Sequence, residues 1–150
     1  MKIKTPLAVF ILFALLALLQ AGVHASKKNP IGKVLTFHDT SIAVEIADTD
    51  AKREKGLGGR SFMPRDRGML FTFPTSDRYR FWMKDMEFPL DIIWLDEAFT
   101  VVYLKEDIST STYPELFAPE KTARYVLEVN AGTVKRLGLQ VGDQLLSRGL

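Results

Sequence analysis

The residues best suited to chemistry lie in one stretch, RYRFWMKDMEFPLDIIWLD, at positions 78–96. Asp91 stands there inside an apolar run, where a lone carboxylate is costly to bury unless it is paired, hydrogen-bonded or exposed at a cleft. The candidate partners are the nearby cations and one earlier arginine: Arg60, Arg78, Arg80 and Lys84. Two interpretations stay open for Asp91, a structural ion pair and a general acid or base.

A second carboxylate would make Asp91 part of a hydrolytic pair. Cleavage of a glycosidic bond needs two carboxyl groups at a fixed separation. Asp85, Glu87 and Asp96 lie near Asp91, and Glu128 lies in a later β-type segment. One hypothesis is therefore a hydrolase acting on envelope carbohydrate, with Asp91 and Glu128 as acid and base.

Nucleophiles and metal ligands are scarce. The chain has no cysteine, and His38 is its one histidine beyond residue 25. We interpret His38 as a turn residue between two strands, because sequence adjacency to Asp39 and Ser41 does not make a triad. We expect no metal and no cofactor.

The methionines allow one exception to that expectation. The four that follow residue 25 cluster closely and are Met63, Met69, Met83 and Met86. Thioethers suit Cu(I), so a Cu(I) carrier that also uses His38 is an alternative function. Core packing explains the same residues, because methionine fills irregular gaps.

Aromatic and cationic side chains offer a binding hypothesis. Trp82 lies between Arg80 and Lys84, and further aromatics are close by in sequence. Such a combination could stack on sugar rings or hold an anionic ligand. Aromatic residues that alternate along a strand are, however, more often part of the core.

The N-terminus indicates export. Residues 1–25 have two lysines, an uncharged apolar stretch and small residues before a cleavage point, as in a secretory signal peptide. Residues 26–32 read as a linker. The remaining 125 residues carry 18 basic and 18 acidic side chains, since the 20 basic residues of the chain include Lys2 and Lys4. We expect a periplasmic or secreted protein with no nucleic-acid partner and no stable membrane insertion after cleavage.

Short β-type runs dominate the rest of the chain and predict an α+β, mostly β fold with a single domain at 33–150. The predicted strands are 41–46, 68–73, 90–95, 99–104, 124–129 and 144–147, and the predicted helices are 47–57 and 132–137. Asp48 or Asp50 is the expected cap of the first helix. Residues 107–122 read as a long loop. Without a βαβ alternation, the expected form is a small barrel-like or curled antiparallel or mixed sheet.

Five segments in order resemble a known family: REKGLGGR (53–60), GMLFTFP (68–74), FWMKDMEFPLDIIWLD (81–96), VVYL (101–104) and VLEVNAGTVKRLGLQVGDQLL (126–146). The sequence is similar here to the exported and archaeal proteins grouped as domain of unknown function 192. The resemblance implies one compact β-rich domain and supplies no activity. Two positions depart from it, Gly58 where a methionine is usual and Met86 where a threonine or similar small residue is usual.

Five residues that match the family pattern are polar or amphipathic and need partners, so they form the candidate ligand site: Arg60, Trp82, Lys84, Asp91 and Glu128. The preferred function is an exported binding or accessory domain without catalysis, with a cell-envelope or carbohydrate-like ligand. The hydrolase and the Cu(I) carrier remain as alternatives.

Overall fold

The computed structural model describes residues 33–150, which lie within one compact unit and form seven strands and two short helices. Its elements are β1 (Val34–Phe37), β2 (Thr40–Ala47), α1 (Asp50–Lys55), β3 (Arg67–Asp77), β4 (Leu90–Leu95), β5 (Val101–Ile108), a 3-10 turn (Thr110–Thr112), β6 (Ala123–Asn130), α2 (Thr133–Leu137) and β7 (Leu146–Arg148). The signal peptide at 1–25 and the linker at 26–32 lie outside the described residues.

All seven strands belong to one mixed sheet, in the order β5-β4-β6-β3-β2-β1-β7. Neighbouring strands are antiparallel except β2 and β3, which run parallel. A parallel pair needs a crossover connection, and α1 with the turns after it provides one. β2, α1 and β3 therefore form a single βαβ unit. The sequence predicts the helix but not this unit, because the pairing of β2 with β3 is a tertiary contact.

The sheet is open. β5 and β7 are its two edges. The segments that precede them are joined by an isolated bridge between Thr100 and Gln144 and by a few backbone hydrogen bonds beside it, not by a ladder between the two strands. Of the two forms that the sequence leaves open, the curled mixed sheet is confirmed, and a closed barrel is not formed.

The two faces of the sheet carry separate apolar clusters. The first includes Met69, Phe71, Ile92 and Trp94, and the second includes Leu70, Ile93, Leu127 and Val129 among others. All six residues of β4 are buried, because this strand is covered on both faces. That position explains the continuous apolar run at 90–95.

Some boundaries differ from the prediction. Thr49, not Asp48 or Asp50, caps α1, because its side-chain oxygen accepts a hydrogen bond from the Lys52 N–H at 3.3 Å. β5 continues to Ile108, and the 3-10 turn follows, so the predicted loop is shorter than 107–122. In residues 33–150 no helix is long and apolar enough to cross a membrane.

Candidate functional site

A cleft of about 480 Å³ opens on the first face of the sheet, and we call it the Glu128 cleft. Its aromatic lining is Phe71, Phe73, Tyr79, Phe81 and Trp82, and its charged lining is Arg53, Glu54, Lys55, Arg80, Lys84, Asp85 and Glu128. Three of the five candidate site residues are among these, namely Trp82, Lys84 and Glu128.

The cleft forms where two loops meet beside the sheet. The turn at 56–60 ends α1, and Gly56 adopts a φ of 48°, a conformation that glycine accepts readily. The Gly59 N–H donates a hydrogen bond of 2.8 Å to the Asp85 carbonyl, which joins this turn to the 82–86 loop. The α1 crossover therefore builds one wall, and the approach to β4 builds the other.

Glu128 is the floor of the cleft. In the register of the sheet it lies opposite Met69 on β3 and Ile92 on β4, so apolar side chains flank it on both sides. Glu128 is 5% exposed, and its Oε2 has no hydrogen-bond partner within residues 33–150. Desolvation by burial raises the pKa of this carboxyl to about 8, so it is mostly neutral at pH 7 and can donate a hydrogen bond.

The aromatic wall is tightly packed. Phe73 and Tyr79 stack with ring centroids 3.5 Å apart, and Phe81 packs edge-on against Phe71 at 4.8 Å. The Trp94 indole N–H donates to the Tyr79 carbonyl at 2.8 Å and anchors this segment to the sheet. Such a wall offers ring faces and edges to a ligand without needing to reorganise.

The outer part of the cleft is cationic and aromatic. Trp82 is 45% exposed, and the Lys84 ammonium lies 5.9 Å from the centroid of its ring. Deeper in, the Arg53 guanidinium lies over Phe73, donates to the Thr72 carbonyl and pairs with Asp50. The charge of Arg53 is thus already matched, whereas Lys84 has an aromatic neighbour and no ion pair within the described part of the chain.

Arg60 lies outside the cleft. Its guanidinium makes two hydrogen bonds to the Glu45 carboxylate, at 2.6 and 2.8 Å, on the surface of β2. These bonds lower the pKa of Glu45, against a smaller opposing effect of partial burial. Arg60 therefore forms a surface ion pair with Glu45 and does not contribute to the cleft.

Asp91 is fully buried, and among residues 33–150 it accepts hydrogen bonds only from backbone N–H groups. Its Oδ1 accepts from the Asp107 N–H at 2.8 Å and the Gly132 N–H at 3.2 Å, and its Oδ2 accepts from the Val134 N–H at 2.8 Å. The predicted cationic partners Arg60, Arg78, Arg80 and Lys84 are therefore wrong. The reason is tertiary: α2 begins at a glycine with no side-chain cap, and Asp91 satisfies the free N–H groups of its first turn.

Asp91 and Glu128 are not brought together. Asp91 lies opposite Val129, and Glu128 lies opposite Ile92, so the two carboxyls leave opposite faces of the sheet. An acid and a base must act on one bond from a shared site. This arrangement gives no geometric support to the predicted pair.

The methionines are mostly core. Met63, Met69 and Met83 are buried in the first cluster, and Met86 lines the cleft. His38 lies in the turn between β1 and β2, which confirms its interpretation as a turn residue. Within 33–150 no three His, Cys, Asp or Glu side chains are grouped closely enough to hold a metal ion.

Both departures from the family pattern fall in the cleft wall. Gly58 and Met86 line the cleft, and a Cβ at Gly58 would stand 3.5 Å from the Lys84 carbonyl and from the Asp85 Cβ. The usual family residues, a methionine at 58 and a small residue at 86, would place the larger side chain on the 56–60 turn and the smaller one on the 82–86 loop. The cleft wall at positions 58 and 86 therefore differs in this chain from the wall that the usual family residues would form.

Relatives by sequence are uncharacterised proteins. The model of the DUF192 family, described as "Uncharacterized ACR", matches residues 33–147. The UPF0127 protein of Thermococcus gammatolerans is 33% identical over 102 residues, which is 67% of this chain and 63% of that protein, so the match spans less than two thirds of the relative. The UPF0127 protein of Pyrococcus abyssi is 34% identical over 110 residues, 68% of this chain and 83% of that protein.

Two solved structures share the fold. A Sinorhizobium meliloti protein described as a candidate transcription regulator has a TM-score of 0.72 at 35% identity, over 79% of this chain and 93% of that one. A protein of unknown function from Novosphingobium aromaticivorans has a TM-score of 0.69 at 29% identity, over 83% and 91% of the two chains. The family match covers nearly every described residue. The chain belongs to the uncharacterised DUF192 family.

Proposed function

We propose that this protein is a small-molecule-binding domain without catalytic activity, and that its ligand occupies the Glu128 cleft. One observation carries the proposal: a buried carboxyl oxygen without a hydrogen-bond partner in residues 33–150 lies at the floor of an aromatic-walled cleft.

A buried polar atom without a partner is uncommon in a native protein and calls for an explanation. Leaving such an atom without a hydrogen bond costs about 1–3 kcal/mol of stability, which is a large cost for a single domain. A ligand that accepts a hydrogen bond from the neutral Glu128 carboxyl provides the explanation. A carboxylic acid kept neutral by an apolar site is a known kind of donor.

The wall indicates the body of the ligand. Five aromatic side chains face the cleft, and its volume of about 480 Å³ is within the usual range for small-molecule sites. A ring-containing molecule would pack against the exposed Trp82 side chain and reach Glu128 with a hydroxyl or carbonyl oxygen. A cell-envelope sugar is one such molecule.

Export is part of the same proposal and is supported by the signal-like sequence of residues 1–25. Expression of the full chain in a Gram-negative host should place the protein in the periplasmic fraction, with Ser26 as its first residue. A full-length protein in the cytoplasm would contradict this part.

The description of the Sinorhizobium meliloti neighbour as a regulator does not extend to DNA binding here. The 18 basic side chains in residues 26–150 are balanced by 18 acidic ones, so a net electrostatic footprint for nucleic acid is absent. The paired-carboxylate hydrolase likewise has no observation in its favour.

The test uses 2-naphthol, a neutral fused ring with one hydroxyl, added to the protein without residues 1–25. Isothermal titration calorimetry and two-dimensional NMR at pH 7 should show saturable binding, with shifts at Gly58, the Trp82 indole and Glu128. Glu128→Met should weaken binding about tenfold, because it removes the donor. Glu128→Gln keeps a donor and should bind within about threefold of the original protein.

Arg60→Gln is the matched control, because Arg60 lies outside the cleft and its loss should leave the affinity unchanged. The NMR spectra report whether each variant is folded. Absence of saturable binding, or equal affinity of the Glu128→Met and original proteins, would overturn the proposal.

A further inference from the structure

We infer that the ligand of the Glu128 cleft is an organic anion whose negative group lies at the outer end, beside Arg80 and Lys84. This inference rests on the proposed function and adds the charge and the orientation of the ligand.

The first step is the alternation of residues 80–84. Met83 turns inward and is 1% exposed, and Phe81 packs against Phe71 and Trp94. Arg80, Trp82 and Lys84 are exposed and line the cleft. A cation, an indole and a second cation therefore follow one another along this edge of the cleft, with Phe81 beside them in the aromatic wall.

The second step is the state of these cations. Among the described residues, Arg80 and Lys84 make no ion pair, in contrast to Arg53, whose partner is Asp50. The Lys84 ammonium lies 5.9 Å from the Trp82 ring centroid, which holds a positive charge next to an exposed aromatic surface. A carboxylate or phosphate on a ligand that packs against the Trp82 side chain would therefore lie near Lys84.

The third step is the balance of acids. Glu54 and Asp85 also line the cleft, so two acids stand against the two cations Arg80 and Lys84. Lys55 adds another cation from the end of α1. The floor contributes no charge while Glu128 is neutral. The charges at the entrance thus favour an anion over a cation.

The test compares three probes with the same naphthol body. 6-Hydroxy-2-naphthoate adds a carboxylate to 2-naphthol, and 6-(aminomethyl)-2-naphthol adds an ammonium. At low salt the naphthoate should bind about fivefold more tightly than 2-naphthol, the size expected for a partly exposed charge pair. The advantage should shrink as NaCl is raised, because salt screens exposed charges. The amine should bind more weakly than 2-naphthol.

The ratio of naphthoate to naphthol affinity, measured within each variant, identifies the cations. The double variant Arg80→Gln, Lys84→Gln should bring the ratio close to one. Arg60→Gln removes a surface cation outside the cleft and should leave the ratio unchanged. Because each variant is its own reference, a small change in cleft shape does not imitate the effect.

The failure of this inference is distinguishable from that of the proposed function. Equal binding of naphthoate and naphthol, tighter binding of the amine, or an unchanged ratio in the double variant would overturn the inference alone. Failure of all three probes to bind would overturn both.

Discussion

Asp91 and Glu128 lie on adjacent strands, one position apart in register, and their carboxyl groups leave opposite faces of the same sheet. Asp91 accepts three backbone hydrogen bonds and stabilises the start of α2. Glu128 lines the cleft, and its buried Oε2 has no hydrogen-bond partner in the described chain. The two residues therefore have separate roles, one structural and one at the ligand site.

Asp91→Ala should lower the free energy of unfolding by roughly 3–5 kcal/mol, because three backbone N–H groups lose their acceptor and a fully buried side chain is removed. Urea unfolding monitored by tryptophan fluorescence measures the change. Asp143→Ala is the control, because Asp143 is more exposed and accepts a single backbone bond, from Gln140. A loss below about 1 kcal/mol for Asp91→Ala would contradict its structural role.

Stability should depend on pH through Glu128. Its pKa is raised from 4.5 to about 8 in the folded protein, so the folded state keeps a proton that the unfolded chain releases. The stability contributed by the neutral carboxyl is fully present below pH 4.5 and is lost as the pH rises through about 8. The decline should reach at most roughly 5 kcal/mol.

Glu128→Gln isolates this effect, because the amide does not titrate. Urea unfolding at a series of pH values measures the free energy of unfolding. Between about pH 5 and about pH 8 this free energy should change less with pH in the variant than in the original protein. Parallel curves for the two proteins would show that Glu128 is not a buried neutral acid.

Gly68→Ala should disrupt the contact between β3 and β6. A Cβ there would stand 2.8 Å from the Glu128 carbonyl and 3.1 Å from side chains of Leu127 and Val129. The strands must separate to accept it, which should cost roughly 2–4 kcal/mol. Gly58→Ala is the matched glycine control, since its nearest contact is 3.3 Å, and thermal unfolding should show a much smaller loss.

Gly58→Met should narrow the cleft between the 56–60 turn and the 82–86 loop, and should lower the affinity for 2-naphthol about tenfold. Met86→Thr on the same background should restore part of that affinity, because it removes bulk from the facing loop. A double-mutant cycle by calorimetry measures the coupling. Strict additivity of the two changes would contradict the idea that the two positions share one wall.

Local sequence patterns predict a large part of the fold. The apolar run at 90–95 gives β4 with its observed bounds, and the alternation at 41–46 gives the centre of β2. His38 lies in the predicted turn. The parallel pairing of β2 with β3 is not predicted, because it depends on a crossover and not on the pattern of either strand.

The candidate site is predicted in part for a similar reason. Trp82 and Lys84 are close in sequence, and Glu128 joins them because β6 lies between β3 and β4. Sequence alone does not tell whether Asp91 uses side chains or backbone amides, because the amides of Asp107, Gly132 and Val134 converge only in the folded chain. Phe71 and Phe73 are missed as wall residues, since an aromatic residue in a strand reads as core.

The most direct test is the ¹³C chemical shift of the Glu128 carboxyl, followed by NMR at pH 7 while 2-naphthol is added. The carboxyl should start protonated, with a titration midpoint near pH 8 in the free protein, and its shift should change saturably as the ligand accepts its hydrogen bond. A carboxylate that is already ionised at pH 7, or a resonance that does not move while the probe is added, would contradict the account.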